Sequence, residues 1–217
     1  MFTGLIEATG RVLSIEQRSG TMRIAVDAPG IAGKLRTGDS VAVSGVCLTA
    51  LDIEPPIFHA DLAAETIART SLAQLASGST VNLELPTPAG APLGGHVVQG
   101  HVDATGTLVS LNPVDASANR AIADWWLEVA IPDTIRPFMV EKGSIAIEGI
   151  SLTIARWDGT TAGLAILPHT YAATNLHTLK AGSPVNLEAD VLMKLAVERM
   201  RATTFELTVE YLVANGY

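Results

Sequence analysis

The sequence has a single cysteine, Cys47, among 217 residues, so no disulfide can form within the chain. Aromatic residues make up only 5%, too few for the stacking platforms that bind single-stranded nucleic acids. Lysine and arginine total 14 against 22 acidic residues, giving a net charge of −8, and they nowhere form a block. The electrostatic footprint of a nucleic-acid-binding protein is therefore missing. No apolar run approaches the ~20 residues of a membrane span. The opening residues, Met1 to Glu7, carry no basic stretch ahead of an apolar one, so no secretory signal is expected and the cytoplasm is the expected location. Neither a Walker loop nor a dinucleotide-binding glycine fingerprint occurs, which leaves a nucleotide cofactor without support. What is present is 48% hydrophobic and 17% charged residues, the composition of a packed core rather than a disordered chain.

The chain contains its own pattern twice. Residues 40–84 laid over residues 144–188, a shift of 104, agree at sixteen of forty-five positions. Ser40-Val-Ala-Val-Ser-Gly-Val-Cys-Leu-Thr49 falls on Ser144-Ile-Ala-Ile-Glu-Gly-Ile-Ser-Leu-Thr153. Thr66, Thr70, Leu72 and Leu75 fall on Thr170, Thr174, Leu176 and Leu179, and Gly78 to Glu84 falls on Gly182 to Glu188. With a shift of 96, Gly4-Leu-Ile-Glu-Ala-Thr-Gly10 falls on Gly100-His-Val-Asp-Ala-Thr-Gly106. Ordered agreement over this length marks a duplicated unit.

Each repeat reads as short strands. Met22 to Val26, Trp126 to Ala130, Val81 to Leu85 and Val185 to Glu188 are rich in β-formers, and Ser40 to Thr49 and Ser144 to Thr153 read as strand, glycine turn, strand. A short helix is expected at Ala64 to Thr70 and again at His169 to Thr174. Several short strands at this spacing suggest a small closed barrel, which leaves no exposed edge. The Pro- and Gly-rich stretch from Pro86 to Gly95 is the natural link between copies. The expected division is 1–96 for the first barrel, 97–189 for the second, and 190–217 for a helical tail. In that tail Val191, Leu192, Leu195 and Ala196 recur at helical spacing, and Thr204 could cap a second helical stretch. The tail has no copy in the first half, so its apolar stripe is expected to be covered by partner subunits or by its own barrels.

Few residues invite chemistry. Cys47 reads either as a small buried hydrophobe or as a nucleophile among hydroxyls, and its counterpart is Ser151. His96 and His101, five apart on an expected strand, should point to opposite faces. With one cysteine and no further clustered ligands they do not make a metal site. His101 stands where the first copy has Leu5, so it is a candidate proton carrier near neutral pH. Asp61, Glu65 and Thr66 precede the first helix, where polar groups commonly cap; Glu65 is replaced by His169 in the second copy.

Five segments in order, Met1-Phe-Thr-Gly-Leu-Ile-Glu7, Gly45-Val-Cys-Leu-Thr49, Gly94-Gly-His-Val-Val-Gln-Gly-His-Val-Asp103, Glu148-Gly-Ile-Ser-Leu-Thr153 and Leu167-Pro-His-Thr170, resemble the alpha-type riboflavin synthases. The resemblance covers nearly the whole chain. It implies an all-β fold of two tandem six-stranded Greek-key barrels, like the flavin-binding barrel of ferredoxin reductases, with a C-terminal helix that assembles a homotrimer. It implies that two molecules of 6,7-dimethyl-8-ribityllumazine react, one giving a four-carbon unit to the other, to yield riboflavin and 5-amino-6-ribitylaminouracil. No metal or redox cofactor is implied. Active sites between subunits and an association with lumazine synthase are further expectations.

Carried over by position, the resemblance assigns substrate binding to Gly4, Leu5 and Ile6, to Cys47, Leu48 and Thr49, and to Asp61, Leu62, Ala63, Ala64, Glu65 and Thr66, with Phe2 nearby. In the second half it assigns Gly100, His101 and Val102, then Lys142, then Ser151, Leu152 and Thr153, then Leu167, Pro168, His169, Thr170, Tyr171 and Ala172. Ser40, Cys47 and His101 resemble the catalytically important positions. Two rival readings are a non-catalytic lumazine or flavin binder of the same fold and a small nucleic-acid-binding barrel. The first loses ground because Cys47, Thr49, His96 and His101 all stand; the acidic balance argues against the second.

Overall fold

The structure, a computed structural model, describes residues 1–117, 119 and 122–203. The first repeat forms β1 (Ala8–Arg18), β2 (Thr21–Asp27), β3 (Ser40–Val43), β4 (Val46–Thr49), β5 (Leu51–Glu54), β6 (Ile57–Leu62), α1 (Ala64–Arg69) and β7 (Thr80–Glu84). The second forms β8 (Ala104–Pro113), β9 (Trp125–Ala130), β10 (Ser144–Ile147), β11 (Ile150–Thr153), β12 (Arg156–Trp157), β13 (Thr161–Ile166), α2 (Pro168–Ala173) and β14 (Pro184–Ala189). Strand order is β4-β3-β7-β1-β2-β6-β5 in one antiparallel sheet and β11-β10-β14-β8-β9-β13-β12 in the other, the same path traced twice.

The sheets have seven strands where six were expected, and Ala50 explains the difference. Its amide donates to Asp39 O and its carbonyl accepts from Gly38 N, so it leaves the ladder between β4 and β5. Ile154 makes the same two bonds with Gly143 and Lys142 in the second copy. The two end strands of each sheet are consecutive in the chain, β4 and β5 joined through Ala50 and β11 and β12 through Ile154 and Ala155, so each curled sheet returns on itself through its own chain.

Alternation sets what each strand buries. Val41, Val43, Val46 and Leu48 enter the first core together with Ile24, Val26, Phe58 and Leu83. Ser40, Ala42, Cys47 and Thr49, paired as Ser40 with Thr49 and Ala42 with Cys47, take the other face. Ile145, Ile147 and Ile150 repeat this in the second core. The β3–β4 and β10–β11 hairpins turn on two residues with positive φ, Ser44-Gly45 and Glu148-Gly149, as a two-residue turn of type I′ requires. The two turns also meet: a Cβ on Gly45 would lie 2.7 Å from Gly149 N, and one on Gly149 equally close to Gly45 N.

Buried amides clasp the barrels around that meeting point. Asn82 Nδ2 donates to Glu148 O, and Asn186 Nδ2 to Ser44 O, each at 2.9 Å. Asn175 N donates to Asn82 Oδ1 and Ser71 N to Asn186 Oδ1, each at 2.7 Å. Each bond has a twin under the 104-residue shift, so an approximate twofold axis relates the barrels. The Glu148 side chain has Ser44 as its twin and lies fully buried in the seam; burial raises its carboxyl above the ordinary range, against hydrogen bonds from Asn186, Asn175 and Ser71 that lower it.

The helical spacing after Asp190 is realised as α3 (Val191–Thr203). It packs on the short 3₁₀ turn Arg136–Phe138 of the second barrel, yet Leu192 and Leu195 remain 63% and 56% exposed. The second helical stretch expected from Thr204 lies outside the described residues.

Candidate functional site

Each repeat sends its leading loop across to the other barrel. The starts of the two loops pair first: Phe2 and Val98 exchange two backbone hydrogen bonds, and both side chains are buried between the barrels. Beyond this bridge Ile6 packs on the second core and Val102 on the first. The crossing is fixed by backbone bonds: Ser151 N donates to Gly4 O, and Cys47 N donates to Gly100 O, both at 2.8 Å. Gly4 and Gly100 have φ of +74° and +79°. A Cβ on Gly4 would lie 2.7 Å from Ser151 Cβ, and one on Gly100 2.6 Å from Cys47 Cβ. Glycine is required at both crossings by conformation and by space.

A buried carboxylate holds each loop from below. Glu84 accepts from the amides of Thr3 and Gly4 and from the Thr3 hydroxyl, at 2.6, 3.0 and 2.9 Å. Glu188 accepts from the amides of Gln99, Gly100 and His101, at 2.7, 2.9 and 3.0 Å. Burial raises both carboxyls above the ordinary range, and the amide hydrogen bonds partly oppose that. Such charge-assisted bonds are the strong class, so the loops are pinned despite lacking a strand ladder.

Two clefts result. One, of about 210 Å³, is lined by Val46, Cys47, Glu65, Thr66, Arg69 and Thr70 of the first barrel and Gly100, His101 and Val102 of the second repeat. The other, of about 300 Å³, is lined by Ile150, Ser151, His169, Thr170, Ala173 and Thr174 of the second barrel and Gly4, Leu5 and Ile6 of the first repeat. The linings correspond position by position. They differ in chemistry at four pairs: Cys47 with Ser151, Glu65 with His169, Arg69 with Ala173, and His101 with Leu5. In the first cleft Arg69 Nε donates to Glu65 Oε1. Behind the second, His96 Nδ1 lies 2.7 Å from Ser151 Oγ, and burial lowers the imidazole below its ordinary range, against the nearby Asp190 charge that raises it. A larger cavity, about 390 Å³, opens between the barrels beside Ser71, Glu148 and Asn175, and holds none of the residues expected to bind or react.

Of the residues singled out from sequence, twelve line the two clefts: Gly4, Leu5, Ile6, Ser151, His169 and Thr170 in one, and Cys47, Glu65, Thr66, Gly100, His101 and Val102 in the other. Phe2 is fully buried beneath them, with Cε2 3.0 Å from where a Gly100 Cβ would stand. Ser40 and Thr49 share the outer sheet face with Cys47. Leu48 and Leu62 belong to the first core, and Leu152 packs on the second. Asp61 is taken by Arg23 at 2.7 Å, which holds its carboxyl below the usual range. Ala63 and Ala64 lie exposed at the start of α1, Leu167 is the residue just before α2, and Pro168 and Ala172 lie within it. Thr153 and Lys142 are exposed, Lys142 in a turn with φ of +68°. Tyr171 stacks on Trp125 with centroids 3.8 Å apart, a contact worth about 0.5–1.5 kcal/mol that pins α2 to β9.

Two expectations are corrected. His96 and His101 do not lie on a strand: residues 94–103 form none, because Glu188 and the Phe2 bridge take amides that a ladder would use. Glu65 and Thr66 do not cap α1 but lie within it, and Ala63 caps with no side-chain bond. Sequence reading also missed Arg69, Thr70, Ala173 and Thr174, one turn beyond the expected helix positions, and the paired Glu84 and Glu188. Their signal was present: a glutamate at a buried strand position in both copies needs a partner.

Comparison with known proteins agrees with this architecture. The lumazine binding domain family matches residues 3–86 and again 99–190. A riboflavin synthase of Actinobacillus pleuropneumoniae is 39% identical over 89% of this chain and 87% of its own length. One of Bacillus subtilis is 34% identical over the whole of both chains. The chain belongs to the riboflavin synthase family. Among solved structures, the lumazine protein LumP complexed with riboflavin superposes with a TM-score of 0.78 at 25% identity, over 87% of this chain and 99% of that one. LumP complexed with 6,7-dimethyl-8-ribityllumazine gives 0.76 at the same identity and coverage. LumP therefore shares the fold of this chain over most of its length.

Proposed function

We propose that this protein is a riboflavin synthase, which converts two molecules of 6,7-dimethyl-8-ribityllumazine into riboflavin and 5-amino-6-ribitylaminouracil by transfer of a four-carbon unit, a transferase reaction. The observation that carries this reading is one cleft built twice with unequal groups. A reaction that uses the same molecule as donor and acceptor needs two similar beds and two different chemistries. The two products together contain the atoms of the two substrates, so the reaction needs no external oxidant or reductant.

The Cys47 cleft carries four ionisable side chains, Cys47, Glu65, Arg69 and His101, against His169 in the other. His101, exposed at its rim, is the group to move a proton to or from the C7 methyl of one lumazine, a contribution of roughly 10²–10⁴ in rate for a well-positioned base. Cys47, or a water held by Ser40 on the same sheet face, is the group to add at C7. The Ser151 cleft has Leu5 at the corresponding rim, so its lumazine meets no imidazole from the crossing loop, and its His169 comes from α2 instead. Holding the two rings together supplies the proximity advantage, on the order of 7–11 kcal/mol at best.

The reading extends to a homotrimer in which the Cys47 cleft of one subunit faces the Ser151 cleft of another. The outward Leu192 and Leu195 of α3 support such an assembly. It also extends to association with lumazine synthase and to the cytoplasm; no helix among the described residues is long and apolar enough to cross a membrane. The test is incubation with the lumazine alone, following its loss and riboflavin gain by absorbance. One riboflavin per two lumazines is the expected result; binding without product would favour a non-catalytic binder.

A further inference from the structure

The loop carrying His101 is gripped by one contiguous stretch of chain, residues 188–194. Glu188 takes the amides of Gln99, Gly100 and His101. Two residues beyond His101, Asp103 Oδ2 accepts from Ala189 N at 2.9 Å. Both Asp103 oxygens also receive Lys194 Nζ, at 2.9 and 2.8 Å. That ion pair is only 22–23% exposed, and Lys194 sits in the first turn of α3, its amide bonded to Asp190 O.

The first repeat has only part of this arrangement. Glu7 stands for Asp103 and accepts from Leu85 N at 2.9 Å, as Asp103 does from Ala189. No helix follows β7, and the ammonium near Glu7 belongs to Lys34 of its own barrel, 3.6 Å away and 62% exposed. The Leu5 loop is thus held by a strand alone, the His101 loop by a strand and the tail helix.

We infer that Lys194 is a positioning residue: through Asp103 it makes the docking of the tail helix set where His101 stands over the Cys47 cleft. The inference rests on the proposed function, since it gives a purpose to fixing the His101 loop by one contact more than the Leu5 loop. Charge-assisted hydrogen bonds to both oxygens of one carboxylate, largely shielded from water, are of the strong class. Displacing a reacting group by about 1 Å costs on the order of 100-fold in rate.

The test uses the full chain with Lys194→Met and Lys194→Arg. Turnover of 6,7-dimethyl-8-ribityllumazine is measured alongside the ring signals of His101 and His169 by NMR. Lys194→Met is expected to lower kcat by about 10-fold, within that bound, with KM nearly unchanged. It should move the His101 signals and spare those of His169, and Lys194→Arg should recover most of the activity. A kcat within about twofold of wild type, unmoved His101 signals, or an arginine variant as impaired as the methionine one would each overturn the role. If the methionine variant does not fold, Asp103→Asn, which keeps an acceptor for Ala189, takes its place with the same readings. If the wild-type chain makes no riboflavin, the proposed function falls, and the His101 signals alone decide the positioning role.

Discussion

The amide of Cys47 in the first barrel donates to the carbonyl of Gly100 in the second repeat at 2.8 Å, and a Cβ on Gly100 would lie 2.6 Å from the Cys47 Cβ. Gly100→Ala is therefore strained twice, by its positive φ and by the clash, at a cost of roughly 1–3 kcal/mol for the backbone alone. It should lower the thermal midpoint and weaken lumazine binding in the Cys47 cleft, read by fluorescence titration. Unchanged binding would mean that the loop yields freely.

His101→Leu makes the rim of the Cys47 cleft match that of its twin. Riboflavin formation is expected to fall by about 10²–10⁴, while lumazine still binds. Steady-state turnover beside a binding titration checks both halves. A variant that retains full turnover would remove His101 from the proton-transfer step.

The seam between barrels rests on Asn82 and Asn186. Replacing either with Ala strands buried partners, at about 1–3 kcal/mol each. Because both serve one seam, the double variant should lose less than the sum. Urea unfolding of the three variants measures this; strict additivity would show that the two bonds act independently.

Burial raises the Glu148 carboxyl in the folded state. Protons are then held more tightly folded than unfolded, so its favourable contribution is complete below the ordinary carboxylate value of about 4.3 and is lost as pH rises through the folded value. The stability of the wild type relative to Glu148→Gln should therefore decline across that rise. Urea midpoints at several pH values decide it, and a difference that does not change with pH would sink the argument.

Local pattern carried much of the fold. The hairpin Ser40 to Thr49 is legible because Val41, Val43, Val46 and Leu48 alternate around an Xaa-Gly turn, and its copy at Ser144 to Thr153 confirms the reading. The clefts were legible as residue types from the resemblance, but not as a shape. Nothing in the residues from Gly94 to Asp103 says that they cross to the other barrel, since crossing depends on a carboxylate nearly ninety positions away at Glu188. Asn82 and Asn186 looked like ordinary polar alternation; only packing shows them facing a neighbouring turn. Arg69 was missed because the positions carried over by resemblance stop at Thr66, one helical turn before it, and only the fold shows that the next turn of α1 still faces the cleft.

The crossed loops also bear on the history of the chain. A single repeat standing alone would leave its own cleft without a lid, and two such repeats could complete each other only as a symmetric pair with identical clefts. Joining them in one polypeptide released that identity: the lid over one barrel could acquire His101 while the lid over the other kept Leu5. Covalent linkage, on this view, is what let a symmetric binder diverge into two unlike halves, each dependent on its sibling for closure.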